Sequence, residues 1–479
     1  MTETQWLSVT LAGYVVGMIA IGLWASRRTR NQQDFFLAGR QLGPWMAALS
    51  ASASSSSAWF LLGVSGAAYT WGLSAIWLLP SALLGYLIAW LWVGPKLWRL
   101  AQQTGAVTLS ELMFGDYEVA GKNAVIRTAS LIILVCFVFY VAAQFQGAAL
   151  AFSSTFGLPP AISIGIGAAI VLLYTLLGGF WAVSLTDTVQ ALLMLFVAVV
   201  LPLICVAAVG GYGEIWTQLQ STGTAAERGL FGPNEGIMAA GFVIGMLSIG
   251  AGYPGQPHVM NRFMALRDMD SLRRGRYIAI GWMIIVLSGM LTLGLCARSL
   301  TAGIANPEQV LFVMSRQMLP PVLAGLMTAG VLSAIMSTAD SQLLVAASSI
   351  SRDWNLEKSR RHSQVLTTSR VVVTLVTLLS CLIAIFAPQT IFERVLFAWH
   401  GVGSAFAPLL IVRVCGFRVN GRYAIASLLL GFGLTAILHW FPDTPGDIAE
   451  RAMPFLIALA VAIMGARVGQ TKRSRPVAT

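Results

Sequence analysis

Long apolar runs alternate with short polar ones from end to end of the chain. A helix needs roughly 20 mostly apolar residues to cross a bilayer. Thirteen stretches meet that length: 5–26, 43–70, 73–95, 126–152, 158–179, 184–210, 236–258, 276–300, 319–350, 366–387, 390–414, 421–440 and 450–468. They predict an all-α integral membrane protein with about 13 transmembrane helices. The first run, Trp6 to Ala25, is too long for a signal-peptide core and no small-residue cleavage site follows it. It is expected to remain as a span. The longer connections at 211–235 and 301–318 predict short surface helices.

The apolar pattern is interrupted in three places. "SASASSSSAW" (50–59) holds six serines inside the second run. The run 236–258 carries Gly236, Gly241, Gly245, Gly250, Gly252 and Gly255, then Pro254 and Pro257, a density that favours an unwound helix. Irregular polar backbone at membrane depth survives only where it lines a cavity. Four spans separate these two interruptions, so each opens a five-helix unit. Paired broken helices in corresponding halves point to the binding site of an inverted-repeat transporter.

The third interruption, "LSAIMSTADSQLL" (332–344), puts Ser337 and Ser341 on one helical face with Asp340 beside them. Asp187, in "SLTDTVQ" (184–190), is a second intramembrane carboxylate. Such groups are costly and functional by default. Sodium is a hard cation that suits oxygen ligands, as calcium does. Carbonyls freed by a helix break, together with serine hydroxyls, supply them. Plainer roles stay open on sequence alone. Small residues also permit close helix packing, and a serine can bond to the carbonyl one turn back. Asp187 also suits a helix N-cap, and Asp340 an aqueous vestibule. Trp59 and Tyr140 also suit packing or interface anchoring, and His258 and His400 structural roles.

Composition narrows the class. Residues are 57% hydrophobic and 10% charged, with mean hydropathy +0.76, against about 25% charged in soluble domains. No room is left for a large soluble domain. A net charge of +11 would suggest nucleic acid in a soluble protein. Here it follows from Lys and Arg gathered at 27–40, 261–276, 351–363 and the tail. These mark the cytoplasmic side, with the N-terminus outside and the C-terminus inside. The opposite side has only Arg228, Arg298, Arg316, Arg394 and Arg451. Five cysteines lie in or beside apolar stretches without metal-ligand spacing and read as small buried hydrophobes. No nucleophile–base pair supports an enzyme. The expected partners are lipid and small solutes, with no nucleic acid and no obligate protein partner.

Four stretches carry a resemblance: "DFFLAGRQLGPWMAALSASAS" (34–54), "LLYTLLGGFWAVSLTDTVQALLM" (172–194), "GYPGQPHVMNRFMA" (252–265) and "LSAIMSTADSQLLVAASS" (332–349). With them the chain resembles the sodium/solute symporter family, closest to its sodium/proline symporter branch, over roughly residues 5 to 440. The resemblance implies a leucine-transporter-type 5+5 inverted repeat with one extra N-terminal and two extra C-terminal helices. The divisions would be 1–42 for the extra helix and its loop, 43–235 and 236–415 for the repeats, and 416–479 for the C-terminal helices and basic tail.

It further implies sodium-coupled symport of a small amino acid, proline first, by alternating access in a bacterial-type plasma membrane. The implied sodium site comprises the carbonyls of Ala53, Ser56 and Ala334 with the hydroxyls of Ser337 and Thr338. A second cation or proton site would use Asp187, Ser337, Asp340 and Ser341. The substrate pocket would take Trp59, Tyr140, Gln144, Ile249 and Tyr253. Ser55 and Ile249 depart from the branch, which has aspartate and tryptophan there. The alternatives are proton-coupled or ion-independent transport of another small amino acid or carboxylate, and a transporter-like nutrient sensor.

Overall fold

The structure, a computed structural model, describes residues 2–26, 37–115, 119–177, 179–351, 362–387 and 389–473. The basic stretches at 27–36, 352–361 and 474–479 lie outside the described residues. Within the described residues the helices are α1 (Glu3–Ser26), α2 (Pro44–Ala58), α3 (Val64–Trp71), α4 (Leu78–Leu87), α5 (Gly94–Thr104), α6 (Leu109–Phe114), α7 (Val119–Phe156), α8 (Pro160–Leu177), α9 (Phe180–Val209) and α10 (Tyr212–Thr222). They continue as α11 (Ala225–Arg228), α12 (Gly236–Ala251), α13 (Pro257–Met264), α14 (Met269–Leu300), α15 (Val310–Met318), α16 (Pro321–Ser351), α17 (His362–Phe386), α18 (Ile391–Val414), α19 (Gly421–Leu438) and α20 (Ile448–Arg473).

Among the described residues, eleven helical stretches are long and apolar enough to cross a membrane. One of them, Pro44–Thr104, counts 61 residues. As one straight helix it would reach about 90 Å, three times the hydrocarbon thickness of about 30 Å. Its path is broken at Gly72, whose φ of 63° a side chain rarely tolerates. Pro160–Leu173 is a shorter apolar helix.

Both glycine- or serine-rich interruptions break their helices. The first falls at Ser57 (φ 56°, ψ −177°) and continues as a wide π-helical turn over Trp59–Gly63. The second is the Tyr253–Gly255 turn between α12 and α13. Here the structure differs from expectation in three ways. The second broken helix runs on to Met264, so Arg262 is a buried helical residue rather than part of a basic loop. Helix α14 starts at Met269 instead of 276, because Asp268 caps it by accepting the Ser271 N–H at 2.6 Å. Helix α15 buries Val310, Leu311, Phe312 and Met314, so it is packed rather than superficial.

Burial locates the centre. The apolar stretch of α16 is 83% buried by protein and that of α18 is 89%, against 22% for α1 and 28% for α19. Helix α2 packs on α9, α14 and α16. Helix α12 packs on α4 and α20, and the Tyr253–Gly255 turn packs on α18. Backbones approach closely between α12 and α4, where a Cβ on Gly250 would lie 2.0 Å from the Ser81 carbonyl oxygen. Ser81 Oγ also donates to the Met246 carbonyl at 2.5 Å. Near this contact Tyr86 and Tyr253 pack at a 45° tilt, with ring centroids 4.6 Å apart.

Gly250→Ala is therefore expected to force α12 off α4 and cost about 1–3 kcal/mol, as overpacking does. Thermal unfolding of the purified protein in detergent measures it, and an unchanged midpoint would refute so close an approach.

Candidate ion and substrate site

A broken helix leaves main-chain groups without their intrahelical partners. At Ser57 a non-glycine residue holds a left-handed φ, which costs about 1–3 kcal/mol. Neighbours hold it there. Gln144 on α7 accepts the Ala58 N–H at 2.9 Å, and Ser57 Oγ accepts that of Trp59 at 3.1 Å. On the other side of the break, the Ala53 carbonyl faces α16. Ser337 Oγ lies 3.2 Å from the carbonyl oxygens of both Ala53 and Ala334, and Thr338 Oγ1 lies 3.5 Å from that of Ala53. Ser56 stands apart. Its carbonyl accepts the Trp59 N–H and its hydroxyl donates to Ser52 O at 2.6 Å.

One turn deeper lies a second buried cluster. Asp187 Oδ2 accepts from Ser50 Oγ (2.7 Å), Ser54 Oγ (3.1 Å) and Arg262 Nη2 (2.9 Å). Arg262 Nη2 also donates to Ser341 Oγ at 2.5 Å, and Ser341 Oγ donates to Asp340 Oδ1 at 3.2 Å. Arg262 is 1% exposed and Asp187 fully buried. The guanidinium donates further to the His258 carbonyl and stacks over Phe180. Asp187 Oδ1 and Asp340 Oδ2 have no hydrogen-bond partner among the described residues. Asp187 thus pairs directly with the guanidinium and Asp340 reaches it through Ser341, and α2, α9, α13 and α16 meet at one point. Sequence reasoning missed Arg262. Its signal was the apolar company of Val259, Met260, Phe263 and Met264 on a short stretch.

Beside the break is an enclosed cavity of about 30 Å³, room for one or two waters. Trp59, Tyr140, Ile249 and Tyr253 line it, with Ser55, Phe60, Tyr86, Leu396 and Trp399. Gln144 is not in the lining; it serves the break instead. No ionised side chain lines the cavity. Trp59 Nε1 and Tyr253 Oη are buried without a hydrogen-bond partner among the described residues. Trp399 Nε1 donates to the Ile249 carbonyl at 2.8 Å, tying α18 to α12. Ser55 Oγ is 3.1 Å from Tyr86 Oη. Phe392 packs on both Trp59 and Trp71, with centroids 5.5 and 5.1 Å away. Beyond Phe392 and Leu396 opens a vestibule of about 920 Å³. On the opposite side, Tyr86 on Tyr253 and Trp90 on Phe263 close the floor.

A membrane bundle that encloses a small cavity beside two broken helices, closed on both faces, is built as a carrier. The model of the Sodium:solute symporter family matches residues 35–431, and the chain belongs to that family. It is thereby a transporter and a multi-pass bacterial inner-membrane protein. It is 35% identical to the sodium/proline symporter of Escherichia coli over 90% of this chain and 87% of that one. It is 32% identical to the osmoregulated proline transporter of Bacillus subtilis over 90% and 88%. Among solved structures, a Na+-coupled sialic acid symporter in a substrate-bound outward-open state shares the fold, with TM-score 0.78 at 19% identity, covering 97% of this chain and 98% of that one. The nucleobase-cation-symport transporter Mhp1, in a closed conformation, superposes with TM-score 0.57 at 12% identity, covering 94% and 97%.

Removing one partner of a buried ion pair leaves an uncompensated charge, at a cost of about 3–5 kcal/mol, whereas removing both is far milder. Arg262→Leu is expected to destabilise the protein by that order. Adding Asp187→Asn should restore most of the loss. Thermal unfolding of the two variants compares them, and a double variant no more stable than Arg262→Leu would contradict the pairing.

Proposed function

We propose that the chain is a sodium-coupled symporter of proline or a closely related small amino acid, working by alternating access. Its relatives carry proline in their names. The observation that carries the reading is the convergence of Ser337 and Thr338 on the Ala53 carbonyl beside the Ser57 break. Oxygens held about 2.3–2.6 Å from a cation, as around calcium, stand roughly 3.3–3.7 Å from one another at octahedral angles. The separations of Ser337 Oγ from Ala53 O and Ala334 O (3.2 Å each) and of Thr338 Oγ1 from Ala53 O (3.5 Å) fit such a shell. In this reading the Ser56 carbonyl joins only after releasing the Trp59 N–H.

The substrate occupies the aromatic cavity, which must widen to admit it. Rings of Trp59, Tyr140 and Tyr253 pack on its apolar body. Its charges meet hydroxyls and the main-chain dipoles of the two breaks. Ser55 and Ile249 shape this pocket differently from the aspartate and tryptophan of the proline branch, so a related amino acid stays within the proposal. Gln144 acts indirectly, by holding the break.

Counting Pro44–Thr104 as two spans and α8 as one makes thirteen. The proposed 5+5 arrangement places repeats at 43–235 and 236–415, after an N-terminal segment 1–42 and before a C-terminal segment 416–479. The basic loops put the N-terminus outside and the C-terminus in the cytoplasm. A second reading concerns coupling. Arg262 pairs with Asp187 and meets Asp340 only through Ser341, so the negative charge of Asp340 is left for a proton or a second sodium near Ser337 and Ser341.

Uptake of labelled proline into liposomes under imposed sodium or proton gradients separates these readings. A sodium gradient should drive accumulation, and Ser337→Ala with Thr338→Ala should abolish that while the protein remains folded. Accumulation indifferent to sodium would sink the main reading. Dependence on a proton gradient alone would favour Asp340 as a proton carrier.

A further inference from the structure

Tyr14 belongs to α1, which precedes both proposed repeats, yet its phenol reaches the polar centre. Its Oη lies 2.8 Å from Ser333 Oγ on α16 and accepts from Gln190 Nε2 on α9 at 3.3 Å. Met336 Sδ is 3.8 Å away. Ser333 has one hydroxyl proton and two acceptors within reach, Tyr14 Oη and the Ala329 carbonyl at 2.9 Å. Whichever it takes, the phenol bridges α9 and α16, and α1 packs along both helices.

The position of the bridge matters. Gln190 follows Asp187 by three residues, and Ser333 precedes Ser337 by four. Each pair shares a helix face one turn apart. The phenol therefore ties together the carboxylate-bearing helix and the hydroxyl-bearing helix just above the oxygens in question. Inside a low-dielectric core each hydrogen bond of such a bridge is strengthened, though Gln190 Oε1 itself has no partner among the described residues. An ion shell tolerates errors of only about 0.5 Å in its supports.

We propose that Tyr14 is a positioning residue for the cation site. It fixes the spacing of α9 against α16, so that a helix outside the repeated core tunes sodium affinity. This rests on the reading that Ser337 and its neighbours bind sodium. In Tyr14→Phe the ring keeps its place while Gln190 and Ser333 lose their shared partner. Sodium half-saturation should rise about five- to twenty-fold, with the maximal rate within about two-fold and the proline KM at saturating sodium unchanged.

The test titrates sodium against thermal unfolding of the purified protein and against labelled-proline uptake in liposomes. It compares Tyr14→Phe, Ser333→Ala, their combination and Ser337→Ala. Both singles should weaken sodium, and the double should be no weaker than the weaker single, since one bridge is lost either way. If Ser337→Ala keeps normal sodium activation, the site reading falls and this inference with it. If Ser337→Ala loses activation while Tyr14→Phe keeps wild-type half-saturation, only the role of Tyr14 is overturned. A Tyr14→Phe protein that merely lowers the maximal rate or the amount of folded protein, with sodium half-saturation unmoved, overturns it equally. Ser333→Ala probes the same bridge from the other side should Tyr14→Phe fold poorly.

Discussion

An interrupted helix inside a membrane exposes main-chain groups where no water waits to receive them, and the centre of this protein is organised around that fact. At Ser57 the freed Ala58 N–H is taken by Gln144, and the Ala53 carbonyl is approached by Ser337 and Thr338. Without those side chains the left-handed φ at Ser57 would have nothing to offset its strain. The same carbonyl that is a liability in an apolar core is an asset for a bare cation. The break is thus satisfied by side chains from two neighbouring helices, α7 and α16.

Charge is handled by the same economy of partners. Asp187 accepts three hydrogen bonds, one of them from a guanidinium that reaches it from the inner half of the second broken helix. That guanidinium also holds Ser341, so one residue of α13 is bound to α2, α9 and α16 together. Any movement of α13 away from this point must leave the buried Asp187 carboxylate without its cation.

The cavity is closed by aromatic side chains on both faces. Phe392 between Trp59 and Trp71 is one ring thick, with a wide vestibule beyond it. The floor is deeper, built from Tyr86 on Tyr253 and Trp90 on Phe263, and braced by backbone contact at Gly250. The thinner wall faces the larger vestibule, so the smaller rearrangement opens the cavity towards that side.

The linear pattern was enough to show an all-α multi-pass membrane protein and the two helices that break, though not the ends of every helix, since α13 runs on to Met264 and α14 begins at Met269. It also marked Ser337, Ser341, Asp187 and Asp340, because a polar side chain stands out against an apolar run, whereas Thr338 and Gln144 came with the family resemblance. Contrast was absent for Tyr86, Phe392 and Trp399, aromatics among apolar neighbours, and for Tyr14 on a peripheral helix. Arg262 was masked by its own charge, since it sits where a basic loop begins and a run of arginines looks the same whether wet or buried. What each polar atom pairs with was decided by tertiary structure alone. Hydrogen bonds such as Ser337 to Ala53, 284 residues apart, depend on which helices lie side by side, and no local periodicity encodes that.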